Sequence, residues 1–277
     1  MLRRMVVGLN SSELSREAGE LAIAWAKTHA VSMLGVGVVD PTVLAPAEPV
    51  PLGGASFKHE RDEAVLASAR QNIAELLGAF QKSAEAAGVS VVTVQLEGNA
   101  DDLLAQECKR GDLLVVGLKH RGNDDVTLPV SDTLEAVLKK AARPVLCVPA
   151  SVTTGQTVVV AYDGSVPAAR ALSSLVNLGL FKDHIVKVIA VEEVPGEHVA
   201  SLTAANEFLT CHGYQTHIET VPLTASVADS LLARIAALKP CLVVMGTHGK
   251  GWLREMLFGS VTKTLLGKVS VPVLFDH

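Results

Sequence analysis

Gly246-Thr-His-Gly249, nine further residues and then Gly259-Ser260 form the stretch of this chain whose residue types and spacing could do chemistry. The short apolar run ending at Met245 reads as a buried parallel strand that stops at Gly246. Beyond the glycines, Val261, Leu265, Leu266 and Val269 recur at helical spacing, with the Ser260 hydroxyl as their N-cap. Glycines between a strand end and a helix start let main-chain N–H groups close on an anion, and the helix dipole adds to that attraction. The chemistry on offer is phosphate binding. The alternative is that these glycines serve only tight turns. No catalytic set accompanies them: the chain has no G-x4-G-K-[ST] loop, no G-x-S-x-G elbow and no H-E-x-x-H helix. His248 lies between two of the glycines, but no acidic partner can be assigned to it, and such a histidine is usually exposed or capping. Lys250 and Lys263 flank the stretch and either screen phosphate charge or are simply solvated.

The elements that must position this stretch occur twice. Val6-Val-Gly-Leu-Asn-Ser-Ser12 is answered by Val159-Val-Ala-Tyr-Asp-Gly-Ser165, and Asp112-Leu-Leu-Val-Val-Gly117 by Cys241-Leu-Val-Val-Met-Gly246. Arg143-Pro-Val-Leu-Cys-Val148 is answered by Val271-Pro-Val-Leu-Phe275. Helical patterns separate these runs, so each half reads β-α-β-α-β-α-β-α-β and predicts a doubly wound sheet with right-handed crossovers. The boundaries that follow are a first domain over 1–150, a small polar linker over 151–156 and a second domain over 157–277. A long helix is expected from about Phe57 to Ala87, with Gly88 as its stop. The segment Asp40–Gly54 is too proline-rich to predict a regular element.

Composition sets the limits. Of 277 residues, 49% are hydrophobic but only 4% aromatic, so Val, Leu and Ala must carry the packing, as suits an α/β protein. A net charge of −5 argues against general binding to nucleic acid or to an anionic membrane. No apolar run approaches the roughly 18 residues of a membrane span. The first residues lack a signal-peptide apolar core, so a cytoplasmic location is expected. Cys108, Cys147, Cys211 and Cys241 lie far apart without a C-x-x-C pair, and read as free thiols rather than as metal ligands.

In these residues the chain resembles a tandem universal stress protein, two such domains on one polypeptide. The family's ATP-binding members carry G-x2-G-x9-G-[ST] after the fourth strand, and Gly246, Gly249, Gly259 and Ser260 fit that spacing without adjustment. They also carry an acidic residue just after the first strand, where Asp163 stands. The resemblance implies, for each domain, a five-stranded parallel sheet of order 3-2-1-4-5 flanked by helices. It implies ATP, with or without Mg2+, as the cofactor of the second domain. In that order the switch point lies between strands 1 and 4, and ligands bind beyond their C-terminal ends. Asp163 would then accept hydrogen bonds from ribose hydroxyls, and Val191 would wall the adenine. Gly246, Gly249 and Gly259 would admit the phosphates, with Ser260 at the helix start and Met245, Thr247 and Val261 beside them in the chain. The fifth strands, 144–148 and 272–275, are expected to pair with each other as a pseudo-dimer, and a true homodimer is a further possibility.

The first half departs from that pattern. Gly117-Leu-Lys-His-Arg-Gly122 lacks the two-residue spacing, Ser131 stands about where Gly259 would align, and Asp132 falls near the place of Ser260, where a carboxylate would repel phosphate. Asn10 replaces the aspartate. An ATP site is therefore not expected there. Lys119, His120 and Arg121 could hold another anion or form a solvated basic loop. The expected function is that of a nucleotide-binding stress or regulatory protein, with its partner contacts set by occupancy. Two alternatives of other classes stand beside it. One is a slow ATP-cleaving or self-phosphorylating enzyme, with Ser260 or Thr262 as acceptor. The other is a small-ligand carrier or scaffold with a vestigial nucleotide site.

Overall fold

The apolar runs become strands and the periodic runs helices. The computed structural model of the chain describes residues 1–10, 13–49, 54–118, 132–150, 155–247 and 260–276. The first domain runs β1 (Arg4–Leu9), α1 (Glu13–His29), β2 (Ser32–Val39), α2 (Pro41–Leu44), α3 (Ala55–Ala86), β3 (Val91–Glu97) and α4 (Ala100–Glu107). A 3-10 turn (Cys108–Arg110) then leads to β4 (Leu113–Gly117), α5 (Asp132–Lys140) and β5 (Val145–Val148). The second runs β6 (Thr157–Ala161), α6 (Val166–Leu178), β7 (Ile185–Glu192), α7 (Val199–Cys211), β8 (Gln215–Pro222), α8 (Val227–Leu238), β9 (Leu242–Gly246), α9 (Ser260–Lys268) and β10 (Val273–Asp276).

The strands lie in the order β3-β2-β1-β4-β5-β10-β9-β6-β7-β8. Each domain is thus a parallel sheet of order 3-2-1-4-5 wound on both faces, as the alternating pattern requires. Among the described residues the one antiparallel ladder joins β5 to β10, with Phe275 opposite Val145 and Val273 opposite Cys147. One apolar core fills each face of the sheet, and both contain residues of both domains. Glu135 of α5 receives Lys139 of its own helix at 2.8 Å and Lys263 of α9 at 3.1 Å. Burial works to raise the Glu135 pKa, but the two ammonium groups outweigh it and hold the carboxyl below its ordinary value. Lys263 of the second domain thus pairs with a carboxylate of the first.

Two departures from the sequence reading have local causes. The proline-rich segment contains a one-turn helix, α2, because Asp40 caps it. The Thr42 N–H donates to Asp40 Oδ1 at 3.0 Å, and Pro41 sits at the first helical position, where its missing N–H costs nothing. Ser260 is already helical in α9, so it lies within the helix rather than before it as a cap.

Helix α3 has 32 residues, about 48 Å at ~1.5 Å per residue, whereas β2 beside it spans about 26 Å. Its C-terminal half is seated on β2 through two glycines. A Cβ at Gly37 would stand 2.5 Å from Ile73 Cγ2, and one at Gly35 would stand 3.0 Å from Phe80 Cδ1. The bare backbone of β2 thus makes the groove that receives Ile73, Leu77 and Phe80. The first buried residue of the helix is Leu66, so its N-terminal turns project beyond the sheet.

Cys108, Cys147 and Cys241 are buried and Cys211 is exposed. Burial pushes the Cys241 thiol up to about 11 and raises Cys147 further, which leaves both unreactive at neutral pH. A disulfide reagent is therefore expected to titrate one thiol, Cys211, in the native protein and the other three only in denaturant. Fast reaction of a second thiol would contradict this packing.

Candidate functional site

A cavity of about 420 Å3 opens over the C-terminal ends of β6 and β9, the neighbouring strands from which the crossovers of the second domain diverge. That size suits a small molecule. Tyr162 and Asp163, from the turn after β6, form one side, and Val191 at the end of β7 continues it. Met245 and Gly246 form the floor, while Ser260 and Val261 bring the first turn of α9 to the rim. The far wall is apolar, from Leu223 and from Val227 and Leu231 one turn apart on α8.

Asp163 is held by the chain that follows it. The Ser165 N–H donates to Asp163 Oδ1 at 2.9 Å, across a turn in which Gly164 takes a φ of 73°. Ser165 Oγ accepts in turn from the Ala168 N–H at 3.3 Å and caps α6. One carboxylate oxygen therefore organises the start of α6. Burial, and after it the Asp163 carboxylate, push the neighbouring Tyr162 phenol above its ordinary pKa.

Gly246 has a packing role that its place in a glycine motif does not reveal. A Cβ there would lie 2.6 Å from Ala168 N and 2.6 Å from Pro167 C, both main-chain atoms of the first turn of α6. The start of α6 therefore rests directly on the end of β9. Thr247 is only 1% exposed and is not among the described lining residues. Its N–H donates to Asp276 O, and its carbonyl accepts the Thr262 hydroxyl at 3.0 Å. That bond ties α9 to the end of β9, and Thr262 also lines the cavity.

Of the residues singled out from sequence, Asp163, Val191, Met245, Gly246, Ser260 and Val261 meet at this one cavity. Gly249 and Gly259, with His248 and Lys250, lie outside the described residues. Sequence reasoning missed Tyr162, Leu223 and the α8 wall; the Val227/Leu231 spacing was the only available signal for the last. It also missed His198, 7% exposed beside the cavity, whose Nδ1 finds no hydrogen-bond partner among the described residues. No motif marks that histidine. Among the described lining residues the charges are the carboxylates of Asp163, Glu193 and Glu197, with no lysine or arginine. A phosphate group would thus rely on main-chain N–H groups and on the dipole of α9. No group of three or more metal-ligating side chains occurs among the described residues, and none of the described helices is long and apolar enough to cross a membrane.

In the first domain the corresponding crevice is a larger cavity, about 840 Å3, bounded by Asn10 after β1 and by Val116 and Gly117 of β4. The Asn10 main-chain N–H donates to Ser15 Oγ at 2.9 Å. Lys119, His120, Arg121 and Ser131 lie outside the described residues.

Comparison with known proteins gives a consistent result. A family model described as the universal stress protein family matches residues 1–149 and again residues 155–276. A universal stress protein of Synechocystis is 28% identical over 227 residues, covering 79% of this chain and 73% of that protein. The Mycobacterium tuberculosis universal stress protein Rv2005c is 25% identical over 293 residues, covering 98% of this chain and 95% of its own. Among solved structures, a universal stress protein from Archaeoglobus fulgidus superposes with a TM-score of 0.72 at 21% identity, covering 99% of this chain and 97% of that one.

Proposed function

Because the chain belongs to the universal stress protein family, we propose that its second domain binds ATP and that occupancy of this site is the signal it carries in a stress response. One observation carries the reading: six residues drawn from separate parts of the sequence, Asp163, Val191, Met245, Gly246, Ser260 and Val261, line a single cavity at the switch point of the second sheet. In this reading Asp163 accepts from the ribose, Val191 and the α8 wall enclose the adenine, and Gly246, Gly249, Gly259 and Ser260 hold the phosphates, with or without Mg2+. Thr247 supports the cradle through its bond to Thr262. The first domain, whose departures from the pattern include Asn10 and Asp132, does not bind ATP.

The domains divide at 1–150, 151–156 and 157–277, and they work as one unit paired through their fifth strands. The β5–β10 ladder and the Glu135–Lys263 pair support that arrangement. Pairing with a second copy of the chain would add a further interface. The protein acts in the cytoplasm, with neither nucleic acid nor membrane as a partner.

The test is calorimetry with ATP and with AMP on the parent and on a variant carrying Gly249→Val and Gly259→Val. The parent is expected to bind ATP, and the variant to lose at least about tenfold in affinity, or 1.4 kcal/mol. A variant that binds ATP as well as the parent would remove the phosphate cradle from the reading.

A further inference from the structure

The first-domain cavity of about 840 Å3 is twice the size of the second, and the overhang of α3 builds it. Arg61, then Ala64 and Val65, Ser68 and Ala69, and Asn72 recur at three- and four-residue steps on one face of that helix, and all of them line the cavity. The second domain has no such wall, because its α7 has only 13 residues. Facing the stripe are Val43 and Leu44 of α2, with the apolar side chains of Leu104, Leu134 and Val137 closing the third side. Val43 is 70% exposed, and Leu44 and Val65 are also exposed. Apolar surface on three elements thus converges on one recess, which is the usual composition of a small-molecule site.

The described charges in this recess are already engaged. Asp40 and Arg61 are its only charged lining residues among those described. Asp40 Oδ1 accepts from the Thr42 N–H and hydroxyl, and its Oδ2 accepts from the Ala100 N–H at 2.9 Å. The Arg61 guanidinium binds Asp62 at 3.0 Å and approaches Glu48 at 3.6 Å, and Lys58 also pairs with Asp62. Arg61 and Lys58 are therefore both paired with carboxylates along the rim, while Asp40 is held by neutral donors. An anionic headgroup entering here would lose its hydration and meet no unpaired cation among the described lining residues. The neutral Ser68, Asn72 and Thr133 remain to hydrogen-bond a ligand.

We propose that the first-domain cavity binds an uncharged amphiphile, an apolar body carrying a neutral hydrogen-bonding head. The α3 stripe, Val43 and Leu44 enclose the body, and Ser68, Asn72 and Thr133 receive the head. This site is separate from the nucleotide site, and neither depends on the other.

The test uses the full chain and Nile red, an uncharged dye that brightens in apolar surroundings. Saturable binding is expected, with displacement by monodecanoylglycerol at least about tenfold better than by decanoate, since only the latter must bury a charge. Val65→Asp places a carboxylate in the recess, and Ala64→Trp fills it; both positions are exposed on α3, so folding is retained. Each variant is expected to weaken the dye at least about tenfold, with an unchanged thermal midpoint, while ATP leaves dye binding unaltered. Three results overturn the proposal: no saturable binding, parent-like binding by both variants, or displacement by decanoate as good as by the neutral ester. Loss of ATP binding in the Gly249→Val, Gly259→Val variant with dye binding intact would separate the two sites.

Discussion

Gly246→Ala is expected to lower the free energy of unfolding by about 1–3 kcal/mol, measured by denaturant titration in the absence of nucleotide. The new Cβ would lie 2.6 Å from two main-chain atoms, Ala168 N and Pro167 C. Neither can rotate away as a side chain would, so the first turn of α6 must lift off β9. That turn is held by the Ser165 cap, and Ser165 is in turn bound to Asp163, so the displacement passes directly into the cavity wall. The control is Gly78→Ala in the interior of α3, where an added Cβ meets nothing within 4 Å. There alanine restricts the unfolded chain and favours helix, and a gain of about 0.5–1 kcal/mol is expected. If Gly246 served only to admit a phosphate, its alanine variant would lose ligand but keep its stability. Parent-like unfolding of Gly246→Ala would therefore sink the packing account.

Asp163→Asn is expected to weaken ATP binding by about ten- to a hundredfold, the 1.5–3 kcal/mol of a hydrogen bond to a charged acceptor. The amide keeps a carbonyl oxygen for the Ser165 N–H, so the turn and the cap of α6 survive and stability changes little. What is lost is the negative acceptor proposed for the ribose hydroxyls. The parent should accordingly prefer ATP to its 2′-deoxy counterpart, and that preference should shrink in the variant. Calorimetry with both nucleotides on both proteins measures it. Equal ATP affinity in parent and variant would show that the carboxylate does not hold the sugar.

Much of the architecture was legible because parallel strands buried on both faces leave uninterrupted apolar runs, as in Leu113–Gly117 and Leu242–Gly246. The repeated Pro-Val-Leu near the end of each half located the fifth strands in the same way. Helix α2 was written in the sequence too, as an aspartate before a proline, but three further prolines close behind it obscured the signal. The far wall of the second-domain cavity was less accessible. Leu223, Val227 and Leu231 look like ordinary core residues until the crossover places them opposite Asp163.

By itself the sequence determined the alternation of strand and helix, the duplication and the glycine spacing, because each depends on neighbours within one element or one turn. It also set the contrast between Asp163 and Asn10. Only the tertiary structure decided that Gly246 bears the start of α6, that Lys263 pairs with Glu135 across the domains, and that α3 overhangs its sheet to wall a second cavity. Those facts rest on contacts between residues far apart in the chain. Local propensity and spacing do not encode such distances; the packing of helices onto a twisted sheet sets them.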